Sequence, residues 1–243
     1  MIQMRSLVLR RSGNAVRLIG PEGAYSYYHP NHLFTGLGWD AQTASLFLLK
    51  QAVRSILILG FGGGTVARQC QRLFSNAEIT GVEINEQVIR IAEENFDLGS
   101  IGARVVAMSA QDYLKKTRRL FDAIVDDIWD PERHSVKPIH GEPRWAELIK
   151  SRLTPGGMYA VNLHGRAQNS TEVVSAIERL ETCFTDLREV RPGPPGETAV
   201  ITAGSVLWSP SEARAKLRRL PLEFRAGISH VRFLTIKGVG TKS

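Results

Sequence analysis

The sequence is short of several things, and each shortage closes off a class of protein. Only two of its 243 residues are cysteine. A disulfide-rich scaffold is therefore ruled out, and Cys70 and Cys183, each in a helical pattern, read as small buried apolar residues of a reducing cytoplasm. No Cys/His spacing of the zinc-site kind occurs, so no metal is expected. There is no run of eighteen apolar residues and no signal peptide at the start, so neither a membrane span nor secretion is expected. No Gly-Lys-Ser/Thr follows the glycine-rich stretch, which excludes a P-loop. Internal repeats and low-complexity segments are also missing.

The chain is rich in apolar residues, at 43%. That is enough to bury one large core with a small appendage. The formal net charge is +7. The basic residues are dispersed, with short clusters at Arg10–Arg11, Lys115–Arg119 and Arg214–Arg219. Solvated helix and strand faces are the favoured reading of these clusters. A groove for nucleic acid is the less favoured one.

The organising stretch runs from Ser55 to Asn85. Ser55 to Leu59 is a continuous apolar run, the pattern of a strand covered by helices on both faces. Gly60, Gly62, Gly63 and Gly64 follow, permitting positive φ and a close backbone approach to a ligand. Thr65 to Phe74 reads as a helix whose free N–H groups point back at the turn. Ile79 to Glu83 reads as the next strand. Glu83 falls about twenty residues after the turn, the spacing at which a carboxylate accepts bonds from ribose hydroxyls. Together these features predict a cradle of backbone amides and one carboxylate for an adenosyl group.

The rest of the chain alternates in the same way. Residues 4 to 28 read as short strands of a small β element. Asp40 is expected to cap a helix running to about Gln51. A helix from Glu86 capped by Asn85, a strand Arg104–Met108 and a short helix opened by Ser109 come next. Phe121 to Asp127 is a strand, followed by a polar loop and a helix at about Arg144–Leu153. Thr154-Pro-Gly-Gly reads as a turn into strand Met158–Leu163, then helix Thr171–Phe184 and strands at Leu187–Val190 and Ala199–Thr202. The expected class is α/β, with a doubly wound, mostly parallel, seven-stranded Rossmann-like sheet. The divisions expected are a small β element over 1–38, the adenosyl-cofactor domain over 39–208 and a helix/strand extension over 209–243.

Asp126, Asp127 and Asp130 lie at and just beyond the end of strand 121–127. Carboxylates on that face of the sheet are placed to bind an ammonium and to accept its proton. Clustering raises the pKa of at least one of them. Trp129 is either a pocket wall or a packing residue. His134, His140 and His164 are available as acids or bases, though loop histidines are more often solvated.

On these residues the chain resembles the spermidine synthases, the polyamine aminopropyltransferases, which share the class I methyltransferase fold. The similar segments are ILILGFGGGT, GVEIN, FDAIVDDIWDP and LTPGGMYAVNL. The resemblance implies aminopropyl transfer from decarboxylated S-adenosylmethionine to a small amine, in polyamine biosynthesis. It implies Asp127 as proton acceptor, Asp130 as holder of the substrate amine, and Glu83 as holder of the ribose. Gly60, Gly62, Gly63, Gly64 and Ser109 would complete the cofactor site, and a homodimer is implied. The chain departs from the family at Gly63, where an acid normally meets the cofactor's amine, and at Met108-Ser109-Ala110, where Gly-Asp-Ala normally contacts adenine. The turn at 192–196 lacks the family's aromatics. The loop after Asp130 carries Arg133, His134, Lys137 and His140, charges that would repel a polyamine in part. A methyltransferase using S-adenosylmethionine itself, on an anionic or nucleic-acid substrate, is the alternative, and a non-catalytic member of the fold is a third reading.

Overall fold

The structure is a computed structural model that describes residues 7–20, 23–129, 137–165, 170–194 and 198–236. Its chain opens with β1 (Val8–Ser12), β2 (Ala15–Gly20) and β3 (Gly23–Tyr28), which pair antiparallel in that order. Then come α1 (Gly38–Ser45), β4 (Ser55–Leu59), α2 (Thr65–Leu73), β5 (Glu78–Glu83), α3 (Glu86–Asn95), β6 (Arg104–Ala107) and α4 (Ala110–Lys116). These are followed by β7 (Phe121–Asp126), α5 (Pro138–Gly141), α6 (Trp145–Lys150), β8 (Leu153–His164) and α7 (Thr171–Glu181). The chain closes with β9 (Asp186–Arg191), β10 (Thr198–Gly204), α8 (Pro210–Arg218), α9 (Leu222–Ile228) and β11 (Arg232–Thr235).

The main sheet has the order β11-β9-β10-β8-β7-β4-β5-β6. Neighbours from β8 to β6 are parallel, while β10 runs antiparallel to both β8 and β9. The seven expected strands are present. An eighth, β11, pairs with β9 at the edge and draws the C-terminal segment onto the same sheet. Side chains alternate between faces along each strand. Ile56, Ile58, Ala123, Val125 and Ala160 join one core with α1, α2 and α8. Leu57, Leu59, Ile124, Tyr159 and Val161 join another with α6 and α7. Every residue of β7 is buried, which is why it reads as an unbroken apolar run apart from its aspartates.

Several local expectations are corrected. Asp40 does not cap α1, whose N-cap is Leu37. It lies in the first turn and reaches back to the N–H groups of Thr35 and Gly36, at 3.0 and 2.6 Å, as an acid at the third helical position does. The helix also stops at Ser45, short of Gln51. Beyond it Leu48 and Leu49 turn their carbonyls to Trp208 N–H and Lys216 Nζ, so the segment leading into α8 takes the bonds that a longer helix would have used. Thr154-Pro-Gly-Gly is not a free turn. It lies inside β8, where the register with β7 shifts.

The N-terminal sheet is seated on α2 and α3. Val16 and Leu18 pack with Val88 and Phe96. Thr65 Oγ1 accepts from Tyr27 N–H at 2.9 Å and donates to Tyr27 O at 3.0 Å, and Arg68 lies over the Tyr28 ring.

At the opposite end of the sheet, Asp122 ties three segments together. Its buried carboxylate accepts from Arg54 N–H, Ser55 N–H, Ser55 Oγ, Gln51 Nε2 and Thr154 Oγ1, all within 3.2 Å. Removing it orphans several part-buried donors. Asp122→Ala should lower stability by about 3 kcal/mol or more, seen as a drop in denaturation midpoint, with nucleoside affinity retained. Cys70 is fully buried and its thiol is pushed up to about 12 by burial. At pH 8 only on the order of one Cys70 in 10⁴ is thiolate. Iodoacetamide should therefore label the half-buried Cys183 in the folded chain and reach Cys70 only on unfolding, as peptide mass spectrometry will report.

Candidate active site

The ends of β5, β4 and β7 stand side by side, and the glycine turn leaves the middle one. Gly60, Gly62 and Gly64 take φ of 78, 56 and 79°, as the sequence pattern requires. A Cβ on Gly60 would stand 2.6 Å from the carbonyl oxygen of Asp127, so glycine here lets the turn press against the end of β7.

The amides of this turn differ from expectation. Gly60 and Phe61 N–H donate to Val82 O, and Gly64 N–H to Phe61 O. Gly62 N–H donates to Glu83 at 2.9 Å and Gly63 N–H to Ser26 Oγ at 2.5 Å. Every turn amide from Gly60 to Gly64 is thus bonded within the protein. Position 63 is covered by β3. A Cβ there would lie 2.8 Å from Ser26 Cβ and 2.9 Å from the Phe96 ring. An acid at this point of the motif would clash with both.

Glu83 ends β5. One carboxylate oxygen accepts from Gly62 N–H and the other from Asn85 N–H at 3.1 Å. Ile84 N–H also faces this carboxylate, and with three such donors a lone pair is left for another. Burial pushes the Glu83 pKa above its ordinary 4.5, the backbone N–H bonds oppose that shift, and the Asp127 charge adds to it. Ser109, at the end of β6, caps α4 by accepting from Asp112 N–H at 3.1 Å, which leaves its hydroxyl proton to donate.

The aspartates divide between the two faces of the sheet. Asp126 turns into the core, where Oδ2 accepts from Tyr159 OH at 2.6 Å and Trp145 Nε1 at 3.2 Å. Burial, rather than clustering with another acid, raises its pKa. Asp127 faces the other way. Its Oδ1 accepts from Trp129 Nε1 at 3.0 Å and Asn162 Nδ2 at 2.9 Å, and its Oδ2 from Trp39 Nε1 at 3.2 Å. Asp130, Arg133 and His134 lie outside the described residues.

Lys137 is not a solvated loop charge. It is fully buried, with Nζ donating to Ile128 O at 2.7 Å and lying over the Trp129 ring. Burial lowers its pKa, while Asp126, Asp127 and Glu172 hold it up. Trp129 therefore packs, against Lys137 and His164, as well as bonding Asp127. His140 sits in α5, 3.7 Å from Glu172, and burial pushes its pKa down.

Three residues of this cluster escaped the sequence reading. Trp39 carries no periodic signal. Ser26 belongs to a strand 37 residues from the glycine it caps. Asn162 did leave a trace, as the lone polar residue of the buried run MYAVNL.

An open sheet wound from β4 outward in both directions, one antiparallel strand next to the last parallel one, and acids at the ends of β5 and β7 define a Rossmann-like fold of the class I methyltransferase type. Residues 44–186, more than half of the chain, match the family model for the spermine/spermidine synthase domain. The chain belongs to that family. A polyamine aminopropyltransferase of Sulfolobus acidocaldarius is 28% identical over 169 residues, 67% of this chain and 54% of that protein. The matches span 28% to 58% of the length of the first four curated relatives. A probable spermidine synthase from Corynebacterium glutamicum superposes with a TM-score of 0.70 at 14% identity, over 94% of this chain and 87% of the other. A spermidine synthase in complex with the transition-state analogue AdoDATO gives 0.66 at 16% identity, over 93% and 85%.

The state of Glu83 is the measurable consequence. A ribose bound here would donate its hydroxyls to the ionised carboxylate, so nucleoside affinity should be full above its midpoint and fall as pH drops through it. Because the pKa is raised, the fall begins at higher pH than for an ordinary carboxylate. Calorimetry with 5′-methylthioadenosine across pH should show this in the wild type. Glu83→Gln should bind about tenfold more weakly and lose the pH dependence.

Proposed function

We propose that this chain transfers an aminopropyl group from decarboxylated S-adenosylmethionine to a small amine. The observation that carries the reading is the Asp127 carboxylate, fixed at the end of β7 by three N–H donors, with Glu83 two strands away. Two strand spacings are about 10 Å, a span suited to a nucleoside lying across β4 with its ribose at one end and its sulfonium near the other. AdoDATO, held by one structural neighbour, is consistent with an adenosyl substrate.

In this reading Glu83 binds the ribose and Ser109 donates to the adenine edge. The amides at Gly60, Gly62, Gly63 and Gly64 are bonded internally, so this turn would meet the substrate through its Cα surface. The acceptor's nitrogen lone pair attacks the carbon beside the sulfonium. That carbon–sulfur bond breaks, its electron pair stays on sulfur, and the thioether leaves. The proton released from nitrogen passes to Asp127, whose Oδ2 keeps a free lone pair. Asp130, three residues on, is assigned to hold the substrate amine, on the strength of the motif. The missing acid at position 63 leaves the cofactor's amino end without the usual partner, so its affinity rests more on the nucleoside. Among the described residues no helix is long and apolar enough to cross a membrane. Residence in the cytoplasm, read from the sparse cysteines, and a homodimer, implied by the resemblance, complete the reading.

The test is turnover by the purified chain. Decarboxylated S-adenosylmethionine with putrescine should release 5′-methylthioadenosine, and Asp127→Asn should lower kcat by about 10²-fold or more. A strict preference for S-adenosylmethionine would replace this reading with methyl transfer. Absence of product with a panel of amines would remove it.

A further inference from the structure

We propose that Asn162 Oδ1 and Thr198 Oγ1, together with the Asp127 carboxylate, form the seat of the acceptor's attacking amine. This deepens the reading above and rests on it. The orientation of Asn162 follows from chemistry. A carboxylate only accepts, so the amide must turn Nδ2 to Asp127, as its 2.9 Å bond requires, and present Oδ1 away from it. Asn162 is only 6% exposed. Its Oδ1 is buried and, among the described residues, has no hydrogen-bond partner. Thr198 Oγ1, at the start of β10, is in the same condition. Buried oxygens without partners are uncommon in folded proteins, and each calls for a partner that a ligand or a water supplies.

The two oxygens face one place. The position that a Cβ would take on Gly38 lies 2.9 Å from Thr198 Oγ1 and 3.7 Å from Asn162 Oδ1. Gly38 opens α1, and the next residue, Trp39, reaches Asp127 through its indole N–H. Any side chain at position 38 would crowd these oxygens. Asn162 Oδ1 lies no more than about 5 Å from the Asp127 carboxylate, given the bond and the width of an amide, so one nitrogen can bridge both. A primary ammonium has three N–H donors, and the three oxygens are acceptors for them. An anion would be repelled here and a lone hydroxyl would satisfy only one oxygen.

Gly38 and Thr198 both lie outside the segment that matches the family model, residues 44–186. Asp127 and Asn162 lie within it, so the seat joins residues of the matched segment to residues beyond it.

The experiment titrates putrescine, and separately n-butylamine, into the full-length chain with saturating 5′-methylthioadenosine, following heat. Thr198→Val keeps the shape and removes the oxygen. It should weaken amine binding roughly tenfold or more, leaving methylthioadenosine affinity within about twofold, and Thr198→Ser should restore it. Gly38→Ala should weaken the amine similarly while both oxygens remain, which keeps the test decisive if the valine variant folds poorly. Amine affinity unchanged in Thr198→Val and Gly38→Ala overturns the proposal, and would mean that the oxygens serve only a bridging water. No amine binding by the wild type overturns it too. The wider reading fails separately: if the wild type binds amine through Thr198 but forms no product, the seat stands and aminopropyl transfer falls.

Discussion

Asp127 is the point on which the site's geometry depends. Its three donors come from three places in the chain: Trp39 in α1, Trp129 just after β7, and Asn162 in β8. Each contributes an N–H, and the one carboxylate accepts all three. A charge-accepting hydrogen bond contributes about 1.5–3 kcal/mol. Together, such bonds fix both the rotamer of Asp127 and the angle at which α1 meets the sheet. An unsupported aspartate at a strand end would swing with the loop that follows it. This one is held on both oxygens.

The same economy governs the glycine turn. It is pressed against the end of β7 at Gly60 and roofed by β3 at Gly63. The N-terminal sheet is thus part of the site's wall, anchored by the paired bonds between Tyr27 and Thr65. The turn has exchanged a charged anchor at position 63 for a covering strand. Both cannot occupy the same space, because the Cβ that an acid would need falls against Ser26 and Phe96. The departure from the family motif and the docking of the small sheet are one fact seen twice.

Most of the architecture was legible because it rests on short-range signals. Strand β4 and its glycine turn, the Asn85 and Ser109 caps and the placing of Glu83 and Asp127 at strand ends all follow from residues close in sequence. What was not legible depends on residues far apart in the chain meeting in space. Asp40 has the composition of a helix cap, yet its carboxylate is claimed by Thr35, Gly36 and Gln69. Asp126 and Asp127 are neighbours in sequence and read as one cluster, but the alternation of a strand sends them to opposite faces. Lys137 reads as a loop cation, and only the fold reveals it as a buried one. Trp39 gave no sign, since a lone tryptophan at a helix start has no period to betray its partner.

The buried charges bear on how a basic protein would receive a cationic acceptor. A net charge of +7 repels cations at long range. In physiological salt, however, exposed charges are screened beyond about 8 Å, whereas buried ones are screened far less. What the acceptor meets is then set by the groups at the strand ends. There Lys137 is matched against Asp126, Asp127 and Glu172, so this buried cation faces several carboxylates. It also holds Ile128 O and the Trp129 ring, and so tethers the chain immediately after Asp127. Replacing its charge while keeping its length would leave Asp126 buried without the cation that offsets its desolvation, the costlier half of a broken buried pair. The lysine therefore belongs to the support of the carboxylates, and the repulsion expected of it from sequence is spent on them before it reaches a substrate.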